Sequence, residues 1–109
     1  LTKKLTLNQT KKFDITQRII EALTDVQSRT ILFSIIKKGK TAIELSDKYK
    51  IPLSSVYKKL TDLEGLSLIR VEQLLISDSG RKFKVFKSRI SKADIIIKTS
   101  EPTLTLVPN

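Results

Sequence analysis

Three stretches of this chain hold residue types at spacings that could do chemistry. Ser55-Val56-Tyr57-Lys58 spells the S-x-x-K of serine acyl enzymes, in which a neighbouring amine helps activate a hydroxyl. The companion S-D-N and K-T-G elements are missing, and so short a pattern arises often by chance. Gly39-Lys40-Thr41 resembles the end of a phosphate-cradling loop. That loop needs a glycine where Ser34 stands, and it follows a strand rather than an apolar helical run. The third stretch crowds Ser54, Ser55, Tyr57 and Lys58 into five positions. Two hydroxyls, a phenol and an ammonium make a dense set of hydrogen-bond donors. With no histidine and no cysteine in 109 residues, imidazole acid–base catalysis, thiolate chemistry, disulfides and the usual zinc sites are all absent. No catalysis, cofactor or metal is expected. These donors are read as a binding surface.

The elements around that surface are legible. Thr41 and Glu44 form a capping-box pair, which starts a helix at Ala42. Ala42, Leu45, Ser46 and Tyr49 then share one buried stripe. Ile51-Pro52 is expected to stop this helix, because proline disfavours helical geometry in the residue before it. A second helix follows over Leu53–Glu64 and turns Val56, Leu60 and Leu63 to the same core. Its opposite face carries Ser54, Ser55, Lys58, Thr61 and Asp62, with Tyr57 at the edge. Two short helices across a tight turn, the second presenting small polar, basic and aromatic groups, form a layout that fits a DNA major groove. An ordinary helical hairpin in a small domain is the plainer alternative.

Charge favours the nucleic-acid reading. The chain has 21 Lys+Arg against 11 Asp+Glu, a formal +10. Such a surplus on one small domain calls for a polyanionic partner, unless it serves solubility alone. Six basic residues and no acidic one lie between Arg81 and Lys92. No apolar run approaches the roughly 20 residues of a membrane span, and the N-terminus lacks the apolar core of a secretory signal. The absence of cysteine suits a reducing compartment.

Along the rest of the chain, the alternation around Leu5 and Leu7 suggests an edge strand. Asp14 with Gln17 reads as a capping box opening a helix whose Ile15, Ile19, Ile20 and Leu23 share a face. Thr24 with Gln27 repeats the signal and predicts a break before a second helix over about Asp25–Lys38. Gly39 is expected to end that helix, with Lys37 and Lys38 at its negative pole. Ile31, Leu32, Ile35 and Ile36 form one stripe, while Val26 and Phe33 lie on another side and need separate cover. Leu66–Ile76 reads as a strand, Ser77–Gly80 as a turn, and Arg81–Ser88 as the return strand. Phe83 and Val85 fall on one face of it, Lys84 and Phe86 on the other. Ile95–Lys98 and Leu104–Val107 read as a final hairpin. One domain is expected over the whole chain, with 1–24 as an N-terminal extension, 25–90 as the binding unit and 91–109 as a strand pair packed on it.

From Val26 to Ser88 the chain resembles the prokaryotic winged helix-turn-helix regulators of the broad ArsR/MarR-like group. The likeness rests on T-x-x-E-L-S at Thr41–Ser46, I-P-x-S-S-V-Y-K-K-L at Ile51–Leu60, L-x-x-x-x-L-I from Leu63, and S-G-R-K-x-x-x-F at the turn of the hairpin. It implies an α+β fold with a three-helix core and a β-hairpin wing, to which the residue pattern adds an extra N-terminal helix and a C-terminal β-hairpin. It also implies a homodimer on double-stranded DNA, in the cytoplasm on the nucleoid. Base-reading positions carried over by the resemblance are Leu53, Ser54, Ser55, Tyr57 and Lys58. Lys59 is then a phosphate contact, and Arg81, Lys82 and Lys84 wing contacts; Lys40 is a further phosphate contact by its charge. The expected subunit contact uses Ile19, Leu23, Val26 and Phe33, with the C-terminal hairpin as the other candidate. Metal-sensing members hold Cys/His ligands that this chain lacks. An architectural DNA-binding protein and a winged helix used for protein docking are the rival functions.

Overall fold

The computed structural model describes residues 7–99 and 101–109, with side chains from Asp14 onward. Four helices precede four strands: α1 (Leu7–Thr24), α2 (Val26–Ser34), α3 (Ala42–Tyr49), α4 (Leu53–Gly65), β1 (Ile69–Ile76), β2 (Lys82–Ser88), β3 (Ile90–Ile96) and β4 (Thr103–Pro108). The strands form two antiparallel hairpins, β1–β2 and β3–β4. Lys40 adds a single antiparallel bridge to Phe86, so β2 lies between β1 and the chain leading into α3. No helix among the described residues is long and apolar enough to cross a membrane.

The helices exist because one stripe of each is apolar. Ile31, Leu32 and Ile35 from the α2 region, Leu45 from α3, and Val56, Leu60 and Leu63 from α4 are all essentially inaccessible to solvent. Burial of each such side chain contributes about 1.5–3 kcal/mol relative to exposure. Leu68, Ile69 and Phe86 close this core from the first hairpin, Ile90 from the second, and Ile19 and Leu23 from α1.

Local chemistry sets the boundaries, and several differ from the sequence reading. α1 begins at Leu7, so no strand forms there; Leu5 lies outside the described residues. Asp14 is therefore inside the helix, and Gln17 reaches forward to Glu21 instead of back to cap. No proline or glycine interrupts residues 7–24, so the helix propagates through the capping signal. The break before α2 falls where expected, but the cap is Asp25 rather than Thr24. The Thr24 hydroxyl donates back to the Ile20 and Glu21 carbonyls. The α3 capping box is present in both directions, Glu44 N–H to Thr41 Oγ1 and Thr41 N–H to Glu44 Oε1, each 3.2 Å. α3 ends because Lys50 turns left-handed (φ 56°), while Pro52 acts one step later as the N-cap position of α4. α4 ends at Gly65, yet the left-handed residue is Ser67 (φ 60°). Ser67 N–H donates to Glu64 and Leu68 N–H to Leu63, the paired bonds of a Schellman cap.

α2 stops at Ser34, well before Gly39. The carbonyls of the next residues are claimed from outside. Lys40 Nζ takes Ser34 O at 2.8 Å, Ser88 N–H takes Ile35 O at 3.0 Å, Asn109 Nδ2 takes Ile36 O at 2.9 Å, and Lys87 Nζ takes Lys37 O at 2.7 Å. β3 also starts earlier than expected, at Ile90. The buried Ser88 hydroxyl donates to Ile90 O and accepts from Ile90 N–H, which redirects the chain straight from one hairpin into the next.

Gly39 packs edge-on against β2. A Cβ there would sit 2.7 Å from Val85 Cγ1 and 3.1 Å from the Phe86 carbonyl oxygen. Gly39→Ala should therefore lower stability by about 1–3 kcal/mol through overpacking. Gly65→Ala, which meets no atom within 4 Å, should not. Urea unfolding of the two variants checks this, and equal midpoints would contradict the packing.

Candidate nucleic-acid interface

α4 is a two-sided rod about 20 Å long at the usual rise per residue. Val56, Leu60 and Leu63 fix it to the core, and this locks the azimuth of everything else on it. Ser54, Tyr57, Lys58, Thr61 and Asp62 are exposed on the other side, Ser55 is half-buried at the margin, and Leu53 is exposed at the first turn. No side chain caps the N-terminus of α4. The Thr61 hydroxyl bonds within the helix to Tyr57 O.

The β1–β2 hairpin stands beside this face. Ser77–Gly80 forms its tip, where Gly80 is left-handed (φ 81°) and Ser77 N–H donates to Arg81 O at 2.8 Å. Side chains alternate along β2, so Lys82, Lys84 and Phe86 share one face while Phe83, Val85 and Lys87 share the other. Lys82 and Lys84 are exposed beyond the buried Phe86. The Arg81 guanidinium lies over the Phe83 ring, 5.9 Å from its centre. A groove of about 250 Å3 runs between the hairpin and the helices, lined by Tyr57, Thr61 and Glu64 of α4, by Thr41 and Ile43, and by Lys82 and Lys84. Tyr57 and Thr61 on the helix side and Lys82 and Lys84 on the strand side thus flank one furrow, with the Glu64 carboxylate among them.

Two of the expected phosphate contacts are held elsewhere. Lys40 turns inward to the end of α2, where its ammonium bonds Ser34 O. Lys59 lies on the flank of α4 that faces α2 and pairs with Asp25 at 3.0 Å. Position 59 is one residue past the outward stripe, so its side chain follows the helix round to its neighbour. The four positions expected at a subunit contact also divide. Ile19 and Leu23 are buried in the chain's own core, Phe33 is half-buried against it, and Val26 is 64% exposed.

Asp25 fastens the helix that carries the outward donors and caps α2, a role the sequence pattern reading assigns to Thr24. Its carboxylate accepts from Ser28 N–H at 3.0 Å and Ser28 Oγ at 2.8 Å, capping α2, and reaches Lys59 as well. The bonds from Ser28 and Lys59 hold its pKa down at about 2, below the ordinary 3.8. The pattern Asp25-x-x-Ser28 before an apolar run was the available signal.

Set beside known structures, the chain is similar to NolR from Sinorhizobium fredii, a winged-helix transcriptional regulator. The crystal structure of that protein superposes with a TM-score of 0.60 at 16% sequence identity, covering 80% of this chain and 81% of that one. The fold is a winged helix. No protein-family model matches the chain, and no curated protein matches it in sequence. Within the winged helix, α3 and α4 are the helix-turn-helix pair and β1–β2 is the wing.

The Asp25 carboxylate ties α2 to α4, so Asp25→Ala should cost about 1–2 kcal/mol at neutral pH, the usual range for a lost N-cap. Because folding lowers the Asp25 pKa, its contribution is complete above about pH 4 and disappears as pH falls through 3.8 towards 2. The difference between wild type and Asp25→Ala in denaturant midpoints should therefore shrink across that window. A difference that stays constant down to pH 2 would contradict the assignment.

Proposed function

We propose that this protein is a DNA-binding transcriptional regulator of the ArsR/MarR-like kind, in which α4 enters the major groove and the wing follows the adjacent backbone. One observation carries the reading. α4 turns Ser54, Tyr57 and Lys58 outward, and Tyr57 shares one furrow with the exposed Lys82 and Lys84 of the neighbouring strand. The winged-helix likeness to a transcriptional regulator and the +10 charge support it. A winged helix adapted to protein docking would not need to keep that exposed charge.

In this reading Lys58 donates to guanine acceptors, Ser54 and Ser55 reach base edges of several kinds, and Tyr57 and Leu53 touch thymine methyls. Arg81, Lys82 and Lys84 neutralise phosphates and release counterions, giving affinity and orientation without reading sequence. Lys40 and Lys59 act one step back, by fixing the helices that carry the contacts. Lys58→Ala should relax base preference. Arg81→Ala should weaken all duplexes alike and flatten the salt dependence by about one released ion. Salt titrations on selected and random duplexes test this, and the reading fails if both variants bind every duplex as wild type does.

The regulator is further proposed to act as a homodimer. Ile15 and Val26 remain exposed on α1 and α2, beside the buried Ile19 and Leu23, and form the apolar centre of the proposed contact. Two-fold pairing would set two α4 helices on half-sites about 34 Å apart. Val26→Glu should shift the protein to monomer in sedimentation and reduce its preference for paired half-sites. A Val26→Glu protein that stays dimeric would move the contact elsewhere.

A further inference from the structure

The furrow beside α4 does not account for all the basic surface. Arg70 stands directly opposite Lys87 in the β1–β2 ladder. Like charges in that position are destabilising, so the sheet carries this pair at a cost. Ile69 and Ser88, and Val71 and Phe86, are the flanking pairs, and they turn towards the core. Arg70 and Lys87 therefore point out of the opposite face of the sheet, away from Lys82, Lys84 and the α4 furrow. There they line a second, shallow depression of about 530 Å3 with Arg89, Ile36, Ser88 and Asn109.

The side chains around it are mostly basic. Lys37 and Lys38 are exposed in the segment that Lys87 holds through the Lys37 carbonyl. Among the described residues, Glu72 is the carboxylate paired there, reaching Lys87 at 3.8 Å. Lys87 is thus partly engaged. Arg70 and Arg89 are exposed and have no carboxylate within ion-pair distance among the described residues. Guanidinium groups suit phosphate oxygens through bidentate bonds. The Asn109 amide donates to Ile36 O and Ser88 O, which fixes the floor between the two arginines.

We infer that this outer face of the wing base, centred on Arg70 and Arg89, holds the backbone of a second DNA duplex, so that the protein bridges two duplex segments. The inference rests on the DNA-binding reading above. The sheet separates the two basic surfaces, and one straight duplex cannot lie against both. Binding at the second face uses phosphate contacts alone and carries no sequence preference.

A bead-capture experiment with the whole chain tests it. Biotinylated duplex on beads is loaded with protein, and a second, fluorescent duplex is offered at moderate salt. Wild type should capture the second duplex. Arg70→Gln/Arg89→Gln should bind a single duplex with unchanged affinity by anisotropy, yet lose most of the capture, and its residual capture should depend on salt with a slope lower by about two. An unchanged melting curve shows that the variant folds. Capture equal to wild type would overturn the inference, since bridging would then come from the two α4 helices of a dimer. Weakened single-duplex binding in the variant would also overturn it by placing these arginines in the primary interface. So would a wild type that binds one duplex and captures none, including one whose outer face binds phosphatidylserine vesicles instead. Failure to bind any duplex would defeat the DNA-binding reading itself, which separates the two failures.

Discussion

Four carbonyls in a row, from Ser34 to Lys37, hold the two layers of this molecule together. They leave the end of α2 without helical partners and are taken up by Lys40, Ser88, Asn109 and Lys87. The carbonyls of Ser34 and Ile35 are the less accessible ones, where an unpaired buried acceptor would cost about 1–3 kcal/mol, while the bonds to Ile36 and Lys37 lie at the surface and add less. Three of the four donors come from the strand region, and the fourth, Lys40, itself bridges to Phe86. The wing is consequently fixed to the helical layer at its base, while its tip at Ser77–Gly80 extends freely. A rigid base with a projecting tip keeps Lys82 and Lys84 at a set distance from Tyr57 and Thr61. Gly39 belongs to the same junction, since only a residue without Cβ lets the strip run this close to Val85.

α4 receives its orientation from a different source. Val56, Leu60 and Leu63 are wholly enclosed, and Leu63 also meets Leu68 through the Schellman cap that ends the helix. Asp25 and Lys59 pin its flank to the start of α2. The ion pair is part-exposed and adds little attraction of its own. Its value is directional, because the same carboxylate caps α2 through Ser28. Rotation of α4 would break the cap-linked pair and expose three large aliphatic side chains together, so the outward donors hold one azimuth.

How much of this was legible in the sequence depends on the range of the interactions involved. The α3 capping box and the Val56/Leu60/Leu63 stripe are local in sequence, and both appear as read. The wing turn does too, because Ser77–Gly80 carries its own turn chemistry. What escaped was non-local. Nothing around Ser34 announces that its carbonyl will bond a lysine six residues on, or that Asn109 will reach Ile36, so the apolar pattern extends α2 four residues past its end at Ser34. The Asp14/Gln17 signal was local and still misled, because an uninterrupted run of helix-compatible residues lies upstream. Lys40 and Lys59 were identified by charge alone, and charge does not say which way a side chain turns. The donors of α4 were visible as a pattern, whereas Arg70 is lost in the sequence because its partner Lys87 lies a full hairpin away.

The distribution of cations follows from the same geometry. In a helix, one residue of register moves a side chain by about 100°, which is enough to carry Lys59 from the outward stripe beside Lys58 onto the α2 flank. In a strand, one residue moves it to the opposite face, so Lys84 and Lys87 fall on different sides although both lie in β2. A basic run that looks uniform in sequence is therefore sorted into three populations: cations lining the α4 furrow, cations that fasten helices, and cations on the outer face of the sheet. The net +10 says that polyanions will be attracted, but only this sorting says where. Any account of binding built on composition alone would assign all of these charges to one surface, and the alternation of β2 forbids that.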